Sequence, residues 1–330
     1  MKPILVLAAL LAFAAPAWAQ TLGISITESN SGDYDLDVNQ ALSAGASATS
    51  LTLFWDEADK SGSYAPDIDW PTIANSYYPS KNLNLVLSLA VIDTVNERRP
   101  EALRGYAFDD PRVLARFESY VSAVLTRLED TDLVAISIGN EVDGYLATPE
   151  DWAEFAGFFA GAAEIVRQLR PGVPVGFTAT WDGFRGANGP HILRANQASD
   201  ALFINYYPLD SGFRVLPPAD ISNQLDAMVA LAAGKPVFLT ETGYPSGGCG
   251  SSEAKQLAYF QELVAALEAR EGDIPLAMLV WLHDITPGAL DHYRRYYGVP
   301  NPCFLSYLGT LGLRTTDGQN KPAFEWLVSR

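Results

Sequence analysis

Cysteine, histidine and basic residues are scarce in this sequence of 330 residues. Two cysteines, Cys249 and Cys303, cannot build a Cys-rich metal site, and His191, His283 and His292 show no ligand spacing. No catalytic metal and no cofactor are expected. Lys and Arg number 22 against 39 Asp and Glu, a formal charge of −17, and no Lys/Arg-rich run offsets it. Such a surface repels nucleic acid and anionic membranes, so a neutral ligand is the simpler expectation. The same acidity also serves to keep an exported protein soluble. Glycines are missing where a dinucleotide fold needs them, because Thr27-Glu28-Ser29-Asn30 follows the first strand candidate. Internal repeats, low-complexity linkers and a second domain are absent from the pattern.

The N-terminal apolar run, Ile4 to Ala15, falls short of the ~20 residues a spanning helix needs. With Lys2 before it and the small-x-small triplet Ala17-Trp18-Ala19 after it, residues 1–19 read as a secretory signal. No cysteine directly follows, so no membrane anchor is expected there. The remaining chain, 20–330, would be secreted or periplasmic. Disulfides persist in those compartments.

Strand and helix patterns alternate over all of 20–330. Strand candidates are Gly23 to Thr27, Ser50 to Trp55, Leu83 to Leu89, Val134 to Glu141, Val173 to Thr180, Ala201 to Tyr207, Val237 to Glu241 and Leu276 to Leu282. Helix starts stand out between them. Asp110-Pro111 pairs a cap with a proline at the first helical position, and Thr148-Pro149-Glu150-Asp151 adds acidic residues matched to the helix dipole. Glycines stop helices at Gly45, Gly172 and Gly234. The charged connection Asp93 to Asp109 is long enough to lie over one end of the fold. Eight strands alternating with helices predict an α/β fold, a single (β/α)8 TIM barrel over 20–330.

Two of these strands end in a glutamate. Val134-Ala135-Ile136-Ser137-Ile138-Gly139 runs into Asn140-Glu141, and Val237-Phe238-Leu239-Thr240 runs into Glu241. The glutamates are 100 positions apart. A barrel of roughly 250 residues spends about 31 on each βα unit, so they fall on the fourth and seventh strands, at the end where barrels do chemistry. Two carboxyls facing each other there suit glycoside hydrolysis, in which a buried acid protonates the leaving oxygen and a carboxylate works at the anomeric carbon. An amide such as Asn140 can hold the neighbouring sugar hydroxyl. A lone glutamate at a strand end is as often a surface charge; it is the pair, three units apart, that points to a site.

Ile138-Gly139-Asn140-Glu141-Val142 and Thr240-Glu241-Thr242-Gly243-Tyr244-Pro245-Ser246 resemble the two catalytic motifs of clan A retaining glycoside hydrolases. They are most similar to those of the endo-β-1,3-glucanases, with the endo-β-1,4-galactanases as another relative. The resemblance implies Glu141 as acid/base and Glu241 as nucleophile. Asn205-Tyr206-Tyr207-Pro208 is similar to the glucanase Asn-x-Tyr-Pro, which implies a hydrogen bond from Tyr207 to the nucleophile, with Asn205 on the same side by strand alternation. Trp281 matches the aromatic floor beneath the reacting sugar. Gly312-Leu313-Arg314, Asp317-Gly318 and Lys321-Pro322-Ala323-Phe324 resemble the segment that closes such barrels. Two departures concern the substrate: Tyr244 stands where tryptophan is common, and an arginine at the end of the second or third strand is missing.

Further aromatics at strand ends, Trp55, Trp181 and Tyr244, are candidate sugar platforms beside Tyr207 and Trp281. Trp152 and Trp326, on helices, read as core, and His283-Asp284 as a satisfied loop pair. The expected partner is an oligo- or polysaccharide, bound by a monomer. A β-linked glucan cut internally is the leading expectation. A transglycosylase would use the same residues, a silent carbohydrate-binding barrel would not need both glutamates, and an inverting hydrolase would hold its carboxyls about 6.5–9.5 Å apart rather than 5–5.5 Å. Cys249 and Cys303 follow the seventh and eighth strands, in loops at one end of neighbouring units, so a disulfide between them is expected.

Overall fold

A computed structural model describes residues 20–60 and 62–330; the expected signal, residues 1–19, lies outside them. The strands are β1 (Thr21–Ser25), β2 (Ala48–Phe54), β3 (Asn84–Asp93) and β4 (Leu133–Asn140). They continue with β5 in two pieces (Val175–Gly176 and Thr178–Thr180), β6 (Leu202–Tyr206), β7 (Val237–Thr242) and β8 (Leu276–Val280). Each pairs in parallel with its neighbours, and β8 returns to β1 along Thr21↔Leu276 to Ser25↔Val280. The ring passes through β5, whose first piece pairs with β4 and second with β6, on either side of Phe177. This is a single (β/α)8 barrel.

The helices are α1 (Tyr34–Ser43), α2 (Trp70–Tyr77), α3 (Pro111–Arg127), α4 (Pro149–Leu169), α5 (Gly189–Ala195) and α6 (Ile221–Ala232). After them come α7 (Glu253–Glu268), α8 (Pro287–Tyr297), α9 (Pro302–Gly309) and α10 (Pro322–Val328). Their starts follow local chemistry. The Asp110 carboxylate accepts from the Arg112 N–H, and Thr148 and Asp151 form a reciprocal capping box. Alternation within the strands then divides the core. Inward residues such as Ala48, Val86, Ala135, Phe203, Phe238 and Met278 fill the barrel, while their outward neighbours pack beneath the helices. Gly176 is part of that fit, since a Cβ there would come within 2.2 Å of the Phe203 ring.

Several features differ from the sequence reading, among them that β1 is Thr21–Ser25, that β3 runs on to Asp93 and that α5 lies between β5 and β6. The second strand ends at Phe54, and Trp55 starts a one-turn helix, Trp55–Ala58. The fifth strand starts at Val175 rather than Val173. Helices α8 and α9 follow β8 where the sequence reading placed no elements. Their starts, Thr286-Pro287 and Asn301-Pro302, carry the same cap-plus-proline signal as Asp110-Pro111, with each cap accepting a backbone N–H.

Cys249 and Cys303 are joined, their Cα atoms 5.4 Å apart, and the bond ties the loop after β7 to α9. Unfolded, unreduced protein is expected to titrate no free thiol. Replacing both cysteines by alanine should lower stability, with the chain-entropy model setting an upper guide on the order of 4 kcal/mol; denaturant unfolding of the two proteins measures it. Among the described residues no helix is long and apolar enough to cross a membrane.

Candidate active site

A cavity of about 700 Å³ opens at the C-terminal end of the strands, and Glu141 and Glu241 both line it. Its lower wall is polar and small: Ser50, Ser88, Ser137, Thr178 and Thr240 point inward from five strands. Short hydroxyl side chains leave room for a ligand where bulkier residues would fill the barrel.

Glu141 is aimed by unusual backbone. Gly139 has φ +93°, and a Cβ there would meet Val142 Cγ1 at 2.6 Å. Glu141 itself lies in the left-handed region at φ 46°, a conformation that costs free energy in a non-glycine residue and marks functional sites. Thr94, also left-handed at φ 53°, donates its N–H to the Asn140 carbonyl and its hydroxyl to Glu141 Oε2 at 2.9 Å. From the other side the Asn205 amide donates to Glu141 Oε1 and to Asn140 Oδ1, both at 3.1 Å. Asn140 in turn donates to Asp93 at 3.1 Å.

Glu241 reaches the cavity through a bulge. Ile204 pairs with Leu239 but Asn205 pairs with Glu241, so Thr240 and Glu241 together oppose one step of β6. The same extra residue appears against β8, between Leu239 and Thr242. Alternation alone would turn one of these two side chains outward. The bulge turns both in, a known use of bulges beside active sites. Thr240 then donates to Asn205 Oδ1 at 2.9 Å, and the Tyr207 hydroxyl donates to Glu241 Oε2 at 2.6 Å.

Burial raises both carboxyls above the ordinary range, because a charge there is poorly solvated. The charge of Glu241 raises Glu141 further, while hydrogen bonds from Asn205 and Thr94 work against the rise. On Glu241, after burial, the Tyr207 hydrogen bond pulls the value back down. Two charges in this cavity disfavour each other, so the pair is favoured with one carboxyl holding a proton and the other a charge. That division gives one acid and one carboxylate base or nucleophile.

The other sequence candidates separate into two groups. Trp281 and Trp181 line the cavity with Asn140, Asn205 and Tyr207. Trp281 stacks on Tyr293, with centroids 6.0 Å apart, and the buried Trp181 donates its indole N–H to Gln224 at 2.8 Å. Trp55 and Tyr244 are outside it, which corrects their reading as platforms. Ser50, Thr52 and Phe54 line the cavity, so strand parity points Trp55 outward, where it is fully buried and stacks on Tyr120. Tyr244 is also fully buried, stacks on Tyr259 and donates to the Leu216 carbonyl at 2.8 Å. Trp281→Ala is therefore expected to lower kcat/KM by roughly a few kcal/mol of transition-state stabilisation. Trp55→Phe should lower Tm and leave kcat/KM unchanged, and steady-state kinetics with calorimetry on both variants measures the contrast.

Sequence reading missed Asp93 and Thr94 at the end of β3, and the ring of aromatics that α8 and α9 bring to the cavity: Tyr293, Tyr297, Phe304 and Tyr307. The caps of α8 and α9 were visible signals for the helices, but nothing local says that they fold over the barrel mouth. The long connection after β3 does reach the mouth, through Thr94 and Val95, before turning away. Trp152 is buried, stacking on His191, and Trp326 is partly buried against the core. His283 is fully buried, its ring nitrogens near the Thr27 carbonyl and Arg314, and Lys321 reaches Asp284 at 2.6 Å. The segment 312–324 thus locks β8 to the start of the chain. Among the described residues no cluster of three or more His, Cys, Asp or Glu could hold a metal ion.

No family model and no curated protein matches this sequence. Solved structures do. A variant of GH5_18 from Bifidobacterium longum subsp. longum, in complex with Manβ1-4GlcNAc, superposes with a TM-score of 0.73 at 15% identity, covering 94% of this chain and 77% of that one. An exo-β-1,4-mannosidase from an Opitutaceae bacterium gives 0.69 at 19% identity, over 94% of this chain and 59% of that one. A β-glucuronidase from Bifidobacterium dentium gives 0.63 at 16%, over 94% and 46%. At such identities the likeness establishes the barrel fold that the chain shares with these glycosidases.

Proposed function

We propose that this chain is an exported retaining β-glycoside hydrolase with Glu241 as nucleophile and Glu141 as acid/base. The observation that carries the proposal is two half-buried glutamates lining one cavity, both raised by burial and each held by its own hydrogen-bond donor. Tyr207 engages Glu241 Oε2, leaving Oε1 to attack the anomeric carbon. As that bond forms, the glycosidic C–O bond breaks and Glu141 gives its proton to the departing oxygen. Loss of the charge on Glu241 in the glycosyl ester lowers the pKa of Glu141, which then takes a proton from water. The resulting hydroxide attacks the same carbon and expels Glu241 with its charge restored. Asn140, oriented by Asp93 and Asn205, presents its second amide hydrogen to the adjacent sugar hydroxyl.

The motif likeness favours a β-1,3-linked glucan as substrate. A β-mannoside is the second reading, favoured by the β-mannosidase and Manβ1-4GlcNAc complex among the fold neighbours. Incubation with 4-nitrophenyl β-glucoside, β-mannoside and β-galactoside and with the corresponding polysaccharides tests the proposal. Turnover of β- but not α-anomers is the expected result. Sugar binding in calorimetry without any turnover would instead make the chain a silent binding barrel, and sugar acceptors competing with water would make it a transglycosylase.

A further inference from the structure

The two helices after β8 form a roof whose anchors are unevenly placed around the mouth. From Trp281 at the end of β8, Tyr293 and Tyr297 of α8 continue a stack of rings, the second pair 5.8 Å apart and nearly parallel. The next anchor is at β3: the Tyr296 hydroxyl donates to Asp93 at 2.6 Å, and Asn96 donates to the Tyr296 carbonyl at 3.4 Å. Helix α8 therefore links the β8 side of the mouth to β3. The chain then crosses back. In α9, Phe304 packs on Phe213 after β6 at 4.9 Å, Tyr307 meets Tyr207 edge-on, and Cys303 is bonded to Cys249 after β7. The roof is held at β3, β6, β7 and β8. Among the described residues the rim at β4 and β5, where Glu141 stands and Asp182 is exposed, carries no such anchor.

Resting on the hydrolase reading above, we infer that the site takes only the last sugar at the non-reducing end of a β-linked chain. A glycoside enters with a fixed polarity. Its leaving oxygen must meet Glu141, so the leaving part of the chain exits over β4 and β5. The sugar being transferred lies over Glu241 and Trp281, and its far hydroxyls point away from the acid, toward the side that α8 covers. An internal cut needs an exit at both ends of the cavity, and here Tyr293 and Tyr297 wall the second end while Tyr296 ties their helix to Asp93. Asp93, already fixed by Asn140 and Tyr296, has carboxylate lone pairs left for those terminal hydroxyls. This departs from the internal cut that the glucanase motifs favour, and the reason is a roof that those motifs do not encode.

The test compares a 4-nitrophenyl β-glycoside that is turned over with the same glycoside bearing a 4,6-O-ethylidene acetal, and follows reducing-end-labelled β-linked tetrasaccharides by product size. The expected result is loss of one sugar at a time from the tetrasaccharide and a fall of about 100-fold or more in kcat/KM for the acetal. Equal rates on the two glycosides, or two-sugar fragments as first products, would overturn the chain-end reading and leave the hydrolase standing. Turnover of none of these substrates would overturn the hydrolase reading, and the chain-end reading with it.

Discussion

Glu241→Gln is expected to abolish turnover, by on the order of 10⁴-fold or more, while leaving the fold intact. Glutamine fills the same volume and keeps an acceptor for the Tyr207 hydroxyl, but it cannot form the glycosyl ester. Glu141→Ala should behave differently. Without the acid, glycosides with poor leaving groups slow greatly, whereas activated aryl glycosides still form the intermediate and then stall, since no base activates water. Azide, which needs no base, should rescue that variant and give a β-glycosyl azide. An α-azide, or full activity of Glu241→Gln, would remove the assignment. Circular dichroism on both variants separates lost chemistry from lost structure.

Tyr207→Phe is expected to move the acid limb of the pH profile. The Tyr207 hydroxyl donates to Glu241 Oε2 at 2.6 Å and so favours the ionised carboxylate. Removing it raises the Glu241 pKa above its already elevated position. The nucleophile must be ionised in the free enzyme, so kcat/KM should now fall away at a higher pH than in wild type. A hydrogen bond to a charge contributes about 1.5–3 kcal/mol, which corresponds to roughly 10- to 150-fold in kcat/KM below the limb. The rings of Tyr207 and Tyr307 still pack edge to edge in the variant, as phenylalanine keeps the ring. A lower rate with an unmoved limb would therefore reduce Tyr207 to a packing residue.

Much of the barrel was legible because its signals are local. The Thr148–Asp151 capping box and the Asp110 cap act within one turn, and strand alternation is a two-residue property. The same alternation, followed one residue further, places Trp55 outside: Ser50, Thr52 and Phe54 share a face and Trp55 does not. Tyr244 was harder, because it lies beyond the β7 bulge, where counting by twos no longer reports direction.

By itself the sequence determined the alternation of strands and helices, the two glutamates at strand ends and the residues that start α3 and α4, since these depend on neighbours one to four positions away. Tertiary structure alone decided how Glu241 is aimed, because the extra residue at Thr240–Glu241 exists only relative to the pairing of β7 with β6 and β8. It also decided how Glu141 is held, through hydrogen bonds from Thr94 and Asn205, which are 47 and 64 residues away in the sequence. The roof belongs with these. Tyr296 and Asp93 are 203 residues apart, and a hydrogen bond across that distance depends on the closed barrel having already brought β3 within reach of α8.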